Sequence, residues 1–227
     1  MSTPEHVPET AMILAAGRGE RLRPLTDHTP KPMVDVQGRP LLAHQIEWLA
    51  RAGITELVIN LHHLGEQIEA HFGDGGEFGV RIRYSREETL LETGGGIVNA
   101  LPLLGDAPFL ILNGDIFTDF PFASLSPLPD WADIHLVVTP KPDFRERGDF
   151  EYADGRITAR GDSYVYCGIA LLRPDIFAAD RAEPFSLRDR FFSAMDRGTL
   201  SAQVWDGYWI DIGSQAQLDA VNARIAP

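Results

Sequence analysis

Between Thr10 and Leu112, short apolar runs alternate with longer stretches of helical period. Thr10 to Ala15, Glu56 to Leu61, Val80 to Tyr84 and Pro108 to Leu112 are too short for core helices and read as buried strands. Between them, Pro40 to Ala52 carries Leu42, Ile46 and Leu49 at i, i+4, i+7, with Gly53 as a helix stop. His63 to Phe72 and Gly94 to Leu104 read as further helices. Such alternation forces a mainly parallel sheet with helices on both faces. After about Phe120 the rhythm changes. Ile134 to Thr139 and Tyr164 to Leu172 are apolar strands, and Ala153-Asp154-Gly155 joins two short strands as a hairpin. Leu187 to Arg197 and Ser214 to Ile225 read as the last helices. The expectation is one α/β domain over 10–227 with a Rossmann-like mixed sheet. Residues 10–120 read as a nucleotide-binding half, and 121–227 as a substrate-shaping half with a small antiparallel annex. Residues 1–9 read as a loose tail.

Composition narrows the partners. With 44% hydrophobic residues a core of ordinary size can be buried. The net charge of -13 lacks the basic footprint that a nucleic acid or an anionic membrane surface requires. No apolar stretch approaches the roughly 18–20 residues of a membrane span. Met1 to Thr10 lacks the basic and apolar regions of a secretory leader. Cys167, the single cysteine, lies in an apolar strand and reads as an inert core thiol. A monomeric cytoplasmic protein is the expectation. The seven histidines show no metal-binding spacing, and Phe109, Phe177, Phe191 and Phe192 read as core.

The first strand runs into Ala15-Ala16-Gly17-Arg18-Gly19-Glu20-Arg21-Leu22-Arg23-Pro24-Leu25-Thr26, followed by Thr29-Pro30-Lys31-Pro32. Glycines there let backbone amides approach phosphate oxygens, and four cations gather in an otherwise acidic chain. Only two of the 20 bases are lysines, Lys31 and Lys141, and Lys31 sits between two prolines. No Walker-type loop occurs, and Leu22 stands where a dinucleotide fingerprint wants its third glycine. Further on, Leu112-Asn113-Gly114-Asp115 closes a strand, and ligands of open α/β sheets bind beyond the carboxyl ends of strands.

The run from Ala15 to Pro32 resembles the signature of the sugar-1-phosphate nucleotidylyltransferases, G-x-G-x-R-L-x-P-x-T followed by K-P. That resemblance implies nucleotide binding by Ala15, Ala16, Gly17, Gly19, Glu20, Arg21 and Lys31. Arg21 and Lys31 would be catalytic, neutralising phosphate charge during transfer. It implies a Mg²⁺ ion held by Asp115 and by Asp211 of Trp209-Ile210-Asp211-Ile212-Gly213-Ser214, with Ser214 capping the last helix. Two such carboxylates should repel one another without the ion. Asn113 matches a position that touches the sugar.

Leu91-Glu92-Thr93-Gly94-Gly95-Gly96 lies where the family reads the base, with Thr93 and Gly94 as nucleotide contacts and bare glycine backbone under a flat ligand. This stretch, with Pro102 to Phe109 and Arg147-Gly148-Asp149-Phe150, is most similar to the N-acetylmuramate-1-phosphate uridylyltransferases of bacterial cell-wall recycling. Many family members hold the sugar phosphate with the lysine of an E-K-P. Here Gly148-Asp149-Phe150 has no lysine, and Asp149 becomes the candidate sugar contact. The implied reaction is UTP plus a sugar 1-phosphate giving a UDP-sugar and pyrophosphate. GTP with mannose 1-phosphate, or CTP with phosphocholine, are alternatives within the class. A non-catalytic nucleotide-binding subunit is the alternative outside it, and should have lost the arginine, the lysine or an aspartate.

Overall fold

The computed structural model describes residues 7–225. Its first half follows the alternation closely. Strand β1 (Thr10–Leu14) is followed by a long loop of 3-10 turns and by the two-residue strands β2 (Asp35–Val36) and β3 (Arg39–Pro40). Then come α1 (Leu41–Arg51), β4 (Glu56–Leu61), α2 (Gly65–Phe72), β5 (Arg81–Arg86), α3 (Glu92–Leu104), β6 (Phe109–Asn113) and β7 (Ile116–Thr118). The second half supplies β8 (Ile134–Pro140), the hairpin β9 (Phe150–Ala153) and β10 (Arg156–Arg160), then β11 (Tyr164–Leu172) and α4 (Arg188–Asp196). It ends with β12 (Leu200–Val204), β13 (Trp209–Asp211) and α5 (Gln215–Ile225).

Nine strands make one sheet in the order β5-β4-β1-β6-β11-β8-β12-β10-β9. β5, β4, β1 and β6 are mutually parallel, and β11 then enters antiparallel to both β6 and β8. The expected antiparallel annex is therefore continuous with the main sheet. β12 returns parallel to β8, and β10 and β9 finish the sheet antiparallel. β13 crosses back to pair with β7 in a separate two-stranded ladder, with Asp211 opposite Ile116.

Side-chain alternation along β1 explains the two covered faces. Ala11 and Ile13 pack with Leu42, Ile46 and Leu49 of α1 and Ile68 of α2, while Met12 packs with Ile97 and Ala100 of α3 and Phe191 of α4. Each fully buried aliphatic side chain contributes roughly 1.5–3 kcal/mol relative to exposure. A third cluster joins Leu22, Val34, Val36 and Leu41 to Ile210, Ile212, Leu218 and Val221, binding the glycine loop to α5. Ser214 Oγ accepts the Gln217 N–H at 3.4 Å, as an N-cap residue does.

Of the expected tail, residues 1–6 lie outside the described residues. The remainder is not loose: Val7 packs against the core and the Glu9 carbonyl accepts the Glu56 N–H. Among the described residues no helix is long and apolar enough to cross a membrane. Phe109, Phe177 and Phe191 are core as expected, whereas Phe192 is half-buried beneath the guanidinium groups of Arg160 and Arg188.

Candidate active site

In the parallel part of the sheet the strand order reverses between β1 and β6, the position where open α/β sheets open a crevice. Leu14 and Asn113 end these strands in register, so the glycine loop and the Asn113-Gly114-Asp115 turn leave from adjacent points. The turn is held from both sides. Gly114 N–H donates to the Leu14 carbonyl at 3.0 Å. Gln45, wholly buried on α1, donates through Nε2 to the carbonyls of Asn113 and Ile116 at 2.9 and 3.0 Å.

A cleft of about 410 Å³ opens there, lined in part by Ala15, Ala16, Gly17, Gly19, Lys31, Thr93, Asn113 and Asp115. It abuts a recess of about 420 Å³ between Arg18, Glu20, Arg21 and Gly213, with Gly19, Lys31 and Leu90 common to both. A third pocket of about 160 Å³ shares Asn113 and Asp115 with the cleft and extends to Asp149, Tyr166, Arg145, Arg188, Trp209 and Asp211. Asp115 and Asp211 thus line one pocket although they are remote in sequence. The Ile212 N–H, donating to the Asp115 carbonyl at 2.7 Å, fixes their separation.

Each of the three aspartates already has a cation. Lys31 Nζ lies 2.6 Å from Asp115 Oδ2, Arg145 Nη1 lies 3.3 Å from Asp211 Oδ2, and Arg188 Nη2 lies 3.2 Å from Asp149 Oδ1. The expected repulsion between Asp115 and Asp211 is therefore compensated by neighbouring bases. Gln217 steadies Asp211 further, donating to Oδ1 at 3.1 Å. Asp149 Oδ2 accepts the Tyr166 N–H at 3.1 Å, so both of its oxygens face protein donors. Arg21 is exposed and lies close over Gly213, where a Cβ would meet its guanidinium at 2.6 Å.

Gly94 departs from the expectation. It does not line the cleft, and the space left by its missing Cβ is taken by the Phe185 ring, 2.2 Å from where that atom would stand. At Gly95 the Glu183 carbonyl fills the corresponding space, and at Gly96 the Glu87 carboxylate does. The three glycines admit another part of the same chain rather than a bare platform for a ligand. Residues 183–187 dock there, with the Gly94 N–H donating to the Phe185 carbonyl at 2.9 Å and the Leu187 N–H donating to Thr93 Oγ1 at 2.8 Å.

Several lining or supporting residues escape the sequence reading. Asn60 accepts the Ala15 N–H at 2.7 Å and donates to buried Glu87, whose other oxygen accepts the Leu91 N–H at 3.0 Å. This relay ties the ends of β1, β4 and β5 to the start of α3. Its only sequence signal is a polar residue late in an apolar strand, while Gln45 shows itself as a polar residue on the apolar face of α1. Burial pushes the Tyr166 phenol and the Cys167 thiol well up, so both stay protonated and Cys167 is an inert core thiol.

The pattern of the nucleotidyl transferase family matches residues 10–128. The chain is 42% identical to the N-acetylmuramate alpha-1-phosphate uridylyltransferase of Neisseria meningitidis serogroup B, over 94% of this chain and 96% of that protein. It is 33% identical to the mannose-1-phosphate guanyltransferase of Aspergillus fumigatus, over 89% of this chain and 60% of that protein. The crystal structure of HddC from Yersinia pseudotuberculosis, complexed with GMP-PN, superposes with a TM-score of 0.80 at 23% identity, covering 96% of this chain and all of that one. The relative matched almost end to end and the family pattern agree, and the solved structure shares the fold: the chain belongs to the nucleotidyl transferase family of enzymes.

Proposed function

We propose that the protein transfers UMP from UTP to N-acetylmuramic acid 1-phosphate, giving UDP-N-acetylmuramic acid and pyrophosphate. The observation that carries this reading is the junction at Asn113 and Asp115, where a nucleotide-sized cleft meets a smaller polar pocket. An oxygen of the sugar phosphate attacks the α-phosphorus of UTP in line, and the bond to pyrophosphate breaks. The nucleophile is already an anion, so no general base is needed, and the work is positioning and charge neutralisation. Ala15, Ala16, Gly17, Gly19 and Thr93 line the cleft where the nucleoside would lie, with Glu20, Arg21 and Lys31 around the triphosphate recess. Asn113 and the pocket of Asp149 receive the sugar.

The donor chemistry of Asp115 and Asp211 fits a magnesium ion: two hard carboxylates line one pocket beside space for phosphate oxygens and water. Asp115 and Asp211 would hold it, and when bound it supplies Lewis-acid stabilisation of phosphate charge. Lys31 and Arg145, which pair with these carboxylates, are then positioned to meet the phosphates themselves.

The 42% identical uridylyltransferase supports the uridine and muramate reading, and the guanyltransferase likeness supports GTP with mannose 1-phosphate as its competitor. A nucleotide-by-acceptor panel read by pyrophosphate release decides between them. UTP with N-acetylmuramic acid 1-phosphate should give the highest kcat/KM. A higher value for GTP with mannose 1-phosphate would reject the assignment while leaving the enzyme class intact.

A further inference from the structure

The 160 Å³ pocket presents two guanidinium groups, although a sugar 1-phosphate brings one phosphate. Arg145 and Arg188 both line it, from the loop after β8 and from the first position of α4. Arg145 belongs to the reacting end, because its partner Asp211 stands on the strand beside Asp115 and its Cζ lies 5.6 Å from the Trp209 ring. Its Nε is buried and has no partner among the described residues, and the Tyr166 hydroxyl in the same pocket is likewise buried and unpartnered. Two idle donors, a guanidinium N–H and a phenol O–H, suit the oxygens of a sugar phosphate.

Arg188 is placed differently. Asp149, anchored by the Tyr166 amide, receives only its Nη2, and its side chain remains 55% exposed beside the Phe192 ring. A guanidinium presents five N–H donors in a planar fork, so most of Arg188 stays available to an incoming anion. A neutral hexose 1-phosphate brings a single anionic group, which Arg145 already serves. Its hydroxyls call for acceptors as well as donors, and a second arginine adds little to reading them. An acid ether on the sugar ring, by contrast, carries a planar carboxylate that an arginine fork matches in charge and shape.

We infer that Arg188, positioned by Asp149, is the specificity residue that selects a sugar 1-phosphate bearing a carboxylate over the neutral sugar 1-phosphate. This rests on the proposed acceptor, since N-acetylmuramic acid differs from N-acetylglucosamine by a lactyl ether that carries such a carboxylate. The test compares wild type, Arg188→Met and Arg188→Lys with UTP and either N-acetylmuramic acid 1-phosphate or N-acetylglucosamine 1-phosphate, by pyrophosphate release. The ratio of the two kcat/KM values should fall about 10- to 100-fold in Arg188→Met, the loss expected for a charge-assisted hydrogen bond. Arg188→Lys keeps the charge without the fork and should fall by less. Arg188→Lys also carries the test should Arg188→Met fail to fold. Equal losses on both sugars, or an unchanged ratio, would overturn the role of Arg188 alone. Wild-type preference for GTP with mannose 1-phosphate would instead remove the proposed function beneath it.

Discussion

Lys31 and Asp115 decide how the cleft behaves without substrate. The Lys31 side chain is only 13% exposed and its ammonium lies 2.6 Å from the carboxylate. Replacing Asp115 by Asn removes the counter-charge and leaves a largely buried cation half satisfied, a loss of about 1–3 kcal/mol. Relief of carboxylate repulsion would predict the opposite sign, but Lys31 and Arg145 already cancel that repulsion. Asp115→Asn should therefore unfold at lower temperature than wild type in EDTA, where bound metal plays no part. Lys31→Met in the same background should recover part of the loss, because the two residues couple. An Asp115→Asn protein as stable as wild type would show the pair to be loose in solution.

At the scale of elements, α3 and the segment 183–187 form one unit through the glycine run. A Cβ on Gly95 would stand 2.1 Å from the Glu183 carbonyl, which is backbone and cannot rotate away. Gly95→Ala should cost about 1–3 kcal/mol as an overpacked contact. It should also expose residues 183–187 to protease and loosen Arg188 just beyond them. Gly17 has open space where its Cβ would go, so Gly17→Ala serves as the folding control, with thermal unfolding as the measurement. Equal melting of the two variants would remove the docking argument.

The seam of β8 with β12 carries a pH dependence. His135 is buried against Ser201 and Gln203, and burial lowers its pKa from the ordinary 6.5. The folded chain thus holds the neutral ring where the unfolded chain would protonate it. Above 6.5 both forms are neutral and the group contributes nothing. As pH falls below 6.5 the unfolded state binds the extra proton and stability declines. His135→Gln should melt with a shallower pH dependence between pH 7 and pH 5 than wild type. Parallel curves for the two proteins would assign the acid sensitivity to other groups.

For the whole molecule, legibility followed locality. β1, β4 and β6 are contiguous apolar runs and announce themselves. β12 carries only Leu200, Ala202 and Val204 toward the core, with Ser201 and Gln203 turned to His135, and nothing local marks it as a strand. The pairing of β13 with β7 is equally invisible, since each has three residues and the partner is remote. Among the site residues, Lys31 stands out by rarity and Asp115 by its strand end. Arg145 and Arg188 are two of eighteen arginines, and only the folded chain singles them out. The glycines of 94–96 were legible as a need for close approach, but composition could not say that the approaching body was Phe185 and Glu183.

The return of β13 and α5 to the first half also orders events during synthesis. A ribosome delivers β1, Lys31, β6 and Asp115 early, and N-terminal segments can begin to fold as they emerge. Asp211 and Gln217 leave the exit tunnel well after them, and the cluster that clamps the glycine loop waits for Ile210, Ile212, Leu218 and Val221. A nascent chain can thus assemble its parallel strands and the Lys31–Asp115 pair while the second acid is still missing. The clamp on the glycine loop is thus the part of the fold that closes only once β13 and α5 have emerged and docked.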